Sequence, residues 1–161
     1  MLAKKSPLVL ESFFVLENKY MFIPPNMEAQ DVQMDLFDKY SIDIDFTSRI
    51  VSSEGDKTIV FDTFTKIGIN QSKQPVGGYS LFIEGVGRYS LAKEMVPEQE
   101  IENLKNLSSL TISLGLLRGI LMDITSNGPM GKYILPSVAV YDLVKQKAKK
   151  STRKLKGKIA S

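Results

Sequence analysis

An alternation of apolar and polar side chains recurs through the first half of this chain, and a spacing of three to four residues replaces it in the second half. A period of two residues is typical of strands with one buried face, whereas the longer period is typical of amphipathic helices. The sequence therefore predicts a strand-rich part followed by a helical part.

The strand-rich part contains three alternating segments and one denser apolar segment. Alternation predicts strands over Tyr40 to Ile50, Lys57 to Asn70 and Tyr79 to Leu91, which turn or loop sequences separate. The segment from Leu8 to Ile23 is apolar on both faces, which predicts a strand inside the sheet. Residues 23–39 are then expected to form a crossing loop.

The helical part is expected to begin near Pro97, a residue that suits a first helical turn. Ser108 and Ser109 predict a break and a new N-cap. Gly128 and Pro129 predict the end of the second helix, and a third helix is expected to include Tyr141. The second helix carries a wide apolar stripe formed by Leu110, Ile112, Leu114, Leu116, Leu117, Ile120, Leu121 and Ile124.

Two glycines, Gly115 and Gly119, lie one turn apart in this apolar helix. Each lowers helix propensity by about 1 kcal/mol relative to alanine. Either the close approach of a neighbouring helix compensates for this loss, or a well-packed core helix simply tolerates both glycines. The first interpretation predicts an oligomer interface at Gly115 and Gly119.

The chain has no cysteine and no histidine. These absences exclude disulfides, thiolate or imidazole metal sites, and triads that depend on histidine. Gly85 to Ser90 has part of a phosphate-loop pattern but lacks its third glycine and a following helix. Asp43 and Asp45 share a strand face, yet alternation requires polar residues there in any half-exposed strand. The sequence therefore predicts a protein without enzymatic activity, metal or cofactor.

Neither the start of the sequence nor its most apolar window resembles a targeting or membrane segment. Pro7 and Glu11 interrupt the run that a signal peptide would need. The window from Leu110 to Met122 is too short to cross a bilayer. A soluble cytoplasmic protein is expected.

Charge is divided unevenly along the chain. All eighteen acidic residues but only thirteen of the twenty-one basic residues precede position 145, so that part carries −5 and the last seventeen residues carry +8. We expect one domain over residues 1–147 and a basic, frayed or disordered tail over 148–161. The tail is either a solvated helix end or an arm for nucleic acid, an acidic partner or an anionic membrane. It lacks aromatic residues for base stacking, which disfavours nucleic acid.

The segment "LRGILMDITSNGPMGKYILPSVAVYDLV", residues 117–144, resembles the C-terminal part of the SecB family of bacterial export chaperones. "SIDIDF" at 41–46 and "GRYSL" at 87–91 resemble two strands of that family, and the order of elements agrees over nearly the whole chain. The matching positions in the C-terminal segment are Arg118, Gly128, Pro136, Tyr141 and Asp142.

The resemblance implies an α+β fold: a four-stranded antiparallel sheet with a long helix and a C-terminal helix packed on one face. It also implies a dimer or a dimer of dimers that holds unfolded polypeptides in hydrophobic grooves without ATP. By matching positions, Ile42, Ile44 and Tyr141 are peptide-binding residues. The local pattern adds Phe46 and Val144, which lie on the same faces. Each of these five residues has an alternative role as ordinary core.

The chain departs from the family at its basic end, since typical members end in an acidic tail. This departure weakens the expectation that the chain docks to the SecA translocation motor. The strand glutamate that the family offers to that motor corresponds to Phe82 here. Protein export and protection of a toxin-antitoxin partner are both compatible with the resemblance. A non-chaperone adaptor, or a nucleic-acid-binding protein that uses the basic tail, is the alternative from another class.

Overall fold

The computed structural model describes residues 1–25, 35–54 and 57–159, without the side chains of 35–36, 53–54 and 151–159. Its strands are β1 (Leu8–Ile23), β2 (Ile42–Glu54), β3 (Thr58–Ile69) and β4 (Gly78–Ala92), and its helices are α1 (Asp35–Asp38), α2 (Glu98–Asn103), α3 (Ser109–Thr125) and α4 (Val140–Ile159).

The four strands form one antiparallel sheet in the order β1-β4-β3-β2. The predicted α+β architecture is therefore confirmed. The predicted loop of residues 23–39 lies partly outside the described residues, and its last part contains the short α1.

The core lies between α3 and one face of the sheet, which we call the inner face. Odd-numbered residues of β3 and β4 point towards α3 because side chains alternate along a strand. The predicted leucine stripe of α3 is confirmed, since its members are fully or almost fully buried: Leu110, Leu114, Leu117 and Leu121. Ile112 and Leu116 are each 37% exposed, so the described chain leaves the outer part of the stripe uncovered.

Buried hydroxyl groups fix the position of α3 on the sheet. The Tyr89 hydroxyl donates to the Ser109 carbonyl at 2.9 Å and shares a hydrogen bond with the Ser113 hydroxyl at 2.8 Å. The hydroxyls of Thr63 and Ser109 are 3.0 Å apart. Polar groups in a dry core require such partners, so α3 has one favourable register along β3 and β4.

The predicted helix break at Ser108 and Ser109 is wrong. A π-helical turn, Leu104–Ser108, joins α2 to α3, and neither serine provides a side-chain cap. The Ser109 hydroxyl bonds to the Lys105 carbonyl at 2.5 Å and is buried against Thr63. The polar residue is therefore needed for the core network, whose partners are remote in sequence.

The continuous helix from Glu98 to Thr125 has 28 residues and is apolar and long enough to cross a membrane by length and composition alone. The expectation that the apolar window is too short therefore does not hold for the whole helix. Core helices of soluble proteins meet the same criterion, and the leucine stripe of this one packs on the sheet.

β1 lies at one edge of the sheet, so its predicted interior position is wrong. Irregularities at Leu10/Ser12 and Val15/Glu17 shift its register against β4, and each shift changes the face towards which the following side chains point. Apolar residues therefore occur on both faces without burial on both. Six large apolar side chains of this strand are 40% to 61% exposed: Val9, Phe14, Val15, Leu16, Tyr20 and Met21.

The last helix, α4, does not end at Lys147, after which the sequence predicted the tail to begin. Its backbone continues as a helix to Ile159. The first half of α4 packs against the core through Val140, Leu143 and Val144. The division of the chain into a domain of residues 1–147 and a separate tail stays a prediction.

Gly85→Ala should destabilise the fold, because an added Cβ would lie 2.7 Å from the Phe13 ring and 3.0 Å from a Leu117 methyl. Moving α3 away from β4 should lower the free energy of unfolding by about 1–3 kcal/mol. Gly68→Ala is the matched control on β3, since its Cβ would meet only the flexible Gln71 side chain, at 3.2 Å. Urea unfolding measures both, and equal stability of the two variants would contradict the packing described here.

Candidate functional site

An extended segment between α3 and α4, residues 126–139, forms a strap over one end of the core. Tyr133 and Leu135 are buried, whereas Ile134 between them is 59% exposed. The alternation follows from an extended backbone, which turns successive side chains in opposite directions. The strap thus seals the core and at the same time presents an apolar side chain outward.

Hydrogen bonds hold the first part of the strap. The Tyr79 hydroxyl donates to the Gly131 carbonyl at 2.8 Å and accepts from the Met130 amide at 2.9 Å. The Thr125 hydroxyl accepts from the Tyr133 amide at 2.9 Å. These contacts explain why a Gly-Pro helix stop lies at the start of the strap, because the chain must leave α3 directly above Tyr79.

Arg118 connects α3 to the far end of the strap. One terminal guanidinium nitrogen donates to the Pro136 carbonyl at 3.0 Å. This bond places the strap's proline next to α3 immediately before α4 begins.

The predicted β2 residues lie on the inner face at the second edge of the sheet. Ile42 and Ile44 pair with Ile69 and Ile67 and are half-buried against the main core cluster. Phe46 is only 8% exposed, and the ammonium of Lys147 lies 5.8 Å from its ring centroid. In this conformation Phe46 is therefore part of the core, and the two isoleucines form its border.

The two predicted residues of α4 have different surroundings. Val144 is half-buried and packs against the same core cluster as Ile42 and Ile44. Tyr141 is 60% exposed, and the Lys145 ammonium lies 4.3 Å from the centroid of its ring. The structure thus brings Ile42, Ile44, Phe46 and Val144 to one cluster and leaves Tyr141 at the surface beside it. Their role in peptide binding stays a prediction.

Sequence reasoning missed one residue of this surface, Ile134. It is exposed although both of its chain neighbours belong to the core cluster that Ile42, Ile44 and Val144 border. An alternating pattern over three apolar residues carries no sequence signal of which one points outward. Gly131, which precedes these residues in the strap, has a left-handed φ of 71°, a conformation that favours glycine.

An ion pair across the edge of the sheet holds α4 in place. Lys147 binds the carboxylate of Asp45, whose side chain is on the face of the sheet opposite α3. The hydrogen bond from Lys147 holds the pKa of Asp45 below its ordinary value, and the positive charge of Lys150 acts in the same direction. The long lysine side chain therefore reaches around the β2 edge, with its stem alongside Phe46.

The predicted oligomer residues, Gly115 and Gly119, are on the side of α3 that faces away from the sheet. Nothing in the described structure lies within 4 Å of a Cβ built on either of them. Within the described protomer, therefore, no neighbouring element packs closely against either glycine. The two glycines leave a strip without side chains beside the exposed Ile112 and Leu116.

The face of the sheet opposite α3 is open and carries paired charges. Arg88 binds Asp62 with both nitrogens at 2.8 and 2.9 Å, and Lys66 binds Glu84 at 3.2 Å. A cleft of about 580 Å³ at one end of this face is lined by Ser41, Asp43, Asp45, Lys66, Gly68, Gln71, Ser72 and Phe82. Over the described ranges, no group of three or more acidic residues could hold a metal ion.

No protein-family model matches this chain, and no curated protein matches it in sequence. Similarity appears at the level of the fold. A SecB-like chaperone of Mycobacterium tuberculosis, solved in complex with a ChAD peptide from the HigA1 antitoxin, matches with a TM-score of 0.50 at 12% identity over 82% of this chain and 91% of that chain. A protein of unknown function from Streptococcus agalactiae matches with a TM-score of 0.50 at 12% identity, over 81% of this chain and 97% of that chain. The chain therefore has a SecB-like fold.

Asp45→Asn should loosen α4, because it removes the charge that Lys147 binds. The pair is exposed, so we expect a loss of no more than about 1 kcal/mol, seen as faster amide hydrogen exchange in α4. Asp43→Asn is the matched control, since Asp43 is on the same strand face and forms no salt bridge with the described residues.

The same pair predicts a pH dependence. Because the folded pKa of Asp45 is lowered, its stabilisation of α4 is present above the unfolded pKa and is lost as pH falls through the folded value. The difference in α4 exchange between the native protein and Asp45→Asn should therefore disappear in acid. Equal exchange in both variants near neutral pH would show that the ion pair does not anchor the helix.

Proposed function

We propose that this protein is a chaperone that binds unfolded polypeptides without ATP. The observation that carries the proposal is the apolar surface around β2, the strap and α4. Exposed Ile134 and Tyr141 border the core cluster there, together with half-buried Ile42, Ile44 and Val144. The M. tuberculosis protein of the same fold is a SecB-like chaperone solved with a bound peptide, which supports this function.

The surface suits an extended chain of variable sequence. β2 is an edge strand, and no described strand pairs with its outer side. Its free backbone groups offer hydrogen bonds that do not depend on the client's side chains. Isolated apolar side chains nearby then bind whichever apolar residues the client presents. The proposal needs no catalytic step or cofactor.

We further propose that protomers associate as a dimer or a dimer of dimers. Two apolar surfaces remain uncovered in the described protomer: the outer side of α3 around Gly115 and Gly119, and the long β1 edge. A long apolar edge strand promotes pairing with another chain unless it is covered. Association on either surface would remove that exposure.

We place the function in the cytoplasm, with clients bound either for export or in a related role such as antitoxin protection. The antitoxin peptide bound by the M. tuberculosis protein favours the second role. Docking to SecA is less supported, because Phe82 occupies the strand position at which the family offers a glutamate to that motor.

A nucleic-acid-binding or adaptor protein is the second candidate function, and the basic residues of α4 favour it.

Tyr141→Ser should weaken client binding about tenfold, the equivalent of about 1.4 kcal/mol, because an exposed aromatic side chain would no longer cover client apolar groups. Fluorescence anisotropy with a labelled unfolded polypeptide measures the affinity, and suppression of client aggregation in the absence of nucleotide measures the activity. Tyr141 is preferable to Ile44 for this test because Ile44 is half-buried.

Met95→Ser is the matched control for Tyr141→Ser. Met95 is 70% exposed and follows β4 in the chain. It is not part of the core cluster against which α4 and the strap pack. The variant should bind clients as the native protein does. Equal loss in both variants would mean that binding depends on general apolar exposure, and failure of the native protein to bind or protect any client would refute the proposed function.

Gly119→Leu should weaken assembly, because a leucine side chain would fill the strip that a partner helix is proposed to approach. The same substitution should raise the free energy of unfolding of the protomer by about 1 kcal/mol, because leucine has a higher helix propensity than glycine. A measured gain would show that the fold of the variant is intact. Sedimentation velocity measures the first effect and thermal unfolding at low concentration measures the second. A monomeric native protein, or unchanged association of the variant, would remove this face from the interface.

A further inference from the structure

α4 carries several lysines that form no salt bridge within the described protomer. Lys145, Lys149 and Lys150 are exposed, and none of them forms a salt bridge with a described residue. Lys147 differs because it binds Asp45. The one acidic residue of α4, Asp142, is in the first turn and forms no ion pair with these lysines among the described residues. The exposed side of the helix is therefore a net positive surface.

The open face of the sheet shows the opposite arrangement. There Lys66 pairs with Glu84 and Arg88 pairs with Asp62, so positive and negative groups lie directly opposite each other on neighbouring strands. Such pairs leave little field for an external charged group. Attraction of an acidic ligand is consequently stronger at α4 than at the sheet.

Apolar surface and positive charge meet on one side of α4. Tyr141, Lys145 and Lys149 are four residues apart and therefore neighbours along one helix face, which we call the lysine row. The Lys145 ammonium lies over the Tyr141 ring. A ligand for this row must therefore combine an apolar group with negative charge within one short segment.

We propose that the lysine row selects client polypeptides whose apolar segments are flanked by aspartate or glutamate. This inference rests on the proposed chaperone function and specifies its substrate class. The client's apolar residues contact Tyr141 and the border of the core, and its carboxylates approach Lys145 and Lys149. Carboxylates on a flexible chain can reach both lysines without a fixed geometry, as a promiscuous binder requires.

Nucleic acid fits the lysine row less well. Binding of single strands depends on bases that stack on free aromatic faces along a basic groove. Tyr141 is the row's one aromatic residue, and an ammonium already covers one face of its ring. An acidic peptide needs only the edge and the open face of that ring, together with the positive charges.

Two labelled peptides of equal length test this inference. They share an apolar centre and differ in their flanks, which are glutamate in one and lysine in the other. At a salt concentration of about 10 mM the protein should bind the glutamate peptide about three- to tenfold more tightly. At about 1 M salt, where screening acts within about 3 Å, the two affinities should become similar.

The variant Lys145→Glu with Lys149→Glu should lose or reverse this preference at low salt, while its binding of the glutamate peptide at high salt stays unchanged. Lys149→Glu alone keeps the contact between Lys145 and Tyr141 and should show about half of the effect on a logarithmic scale. Lys4→Glu with Lys5→Glu is the matched control, because it changes net charge equally at two exposed residues that precede β1. The control should keep the preference.

Four results would overturn the inference. Equal affinities for the two peptides at low salt would refute the lysine row and leave the chaperone function standing. Equal loss of preference in the control would show that net charge alone decides. Tighter binding of an unstructured RNA than of the glutamate peptide would assign α4 to nucleic acid. If neither peptide binds at any salt concentration, the chaperone function itself fails, and the inference with it.

Discussion

The fold depends on α3 lying close to the sheet above β4, and that approach is possible because Gly85 has no side chain beneath Leu117. The leucines of α3 then bury the inner face of β3 and β4, and the hydroxyls of Tyr89, Ser109 and Ser113 fix where the helix lies along the strands. This contact also determines where the strap and α4, which follow α3 in the chain, are placed. The strap begins where α3 ends above Tyr79, and Arg118 of α3 holds the Pro136 carbonyl shortly before α4 begins.

The residues proposed to bind clients lie at the margin of this core. Ile42, Ile44 and Val144 are half-buried because β2 is the last strand of the sheet and α4 covers only part of its border. A continuous core would bury such side chains fully, and a fully exposed surface would not hold them in fixed positions. Because the border of the core is only partly covered, its apolar side chains are held in place by packing and remain accessible to a ligand. The strap adds Ile134 to this border without losing the burial of Tyr133 and Leu135.

Local pattern predicted the strands and helices well because their periodicity depends on which face is buried, and that information is contained in a few neighbouring residues. The errors concern arrangements between distant residues. Ser109 was expected to cap a helix, but its partner Thr63 is more than forty residues away in sequence. β1 was expected inside the sheet because its sequence is apolar on both faces, but register shifts against β4 produce that pattern in an edge strand. At the candidate site, Tyr141 followed from the family resemblance and Phe46 from the local pattern, yet Phe46 is buried in the core cluster and Tyr141 is open to solvent.

The strand order has a consequence for how this protein is made. β1 and β2 follow each other in the chain but occupy opposite edges of the sheet. Leu8 of β1 pairs with Leu91 of β4, so it cannot pair until Leu91 has been synthesised. At synthesis rates of about 5–20 residues per second, β1 leaves the ribosome several seconds before β4 does. β2, β3 and β4 are joined by short connections and can form first, whereas β1 has no partner strand during that interval. Each newly made copy thus passes through the same exposed, unpaired condition as the polypeptides that the mature protein is proposed to hold.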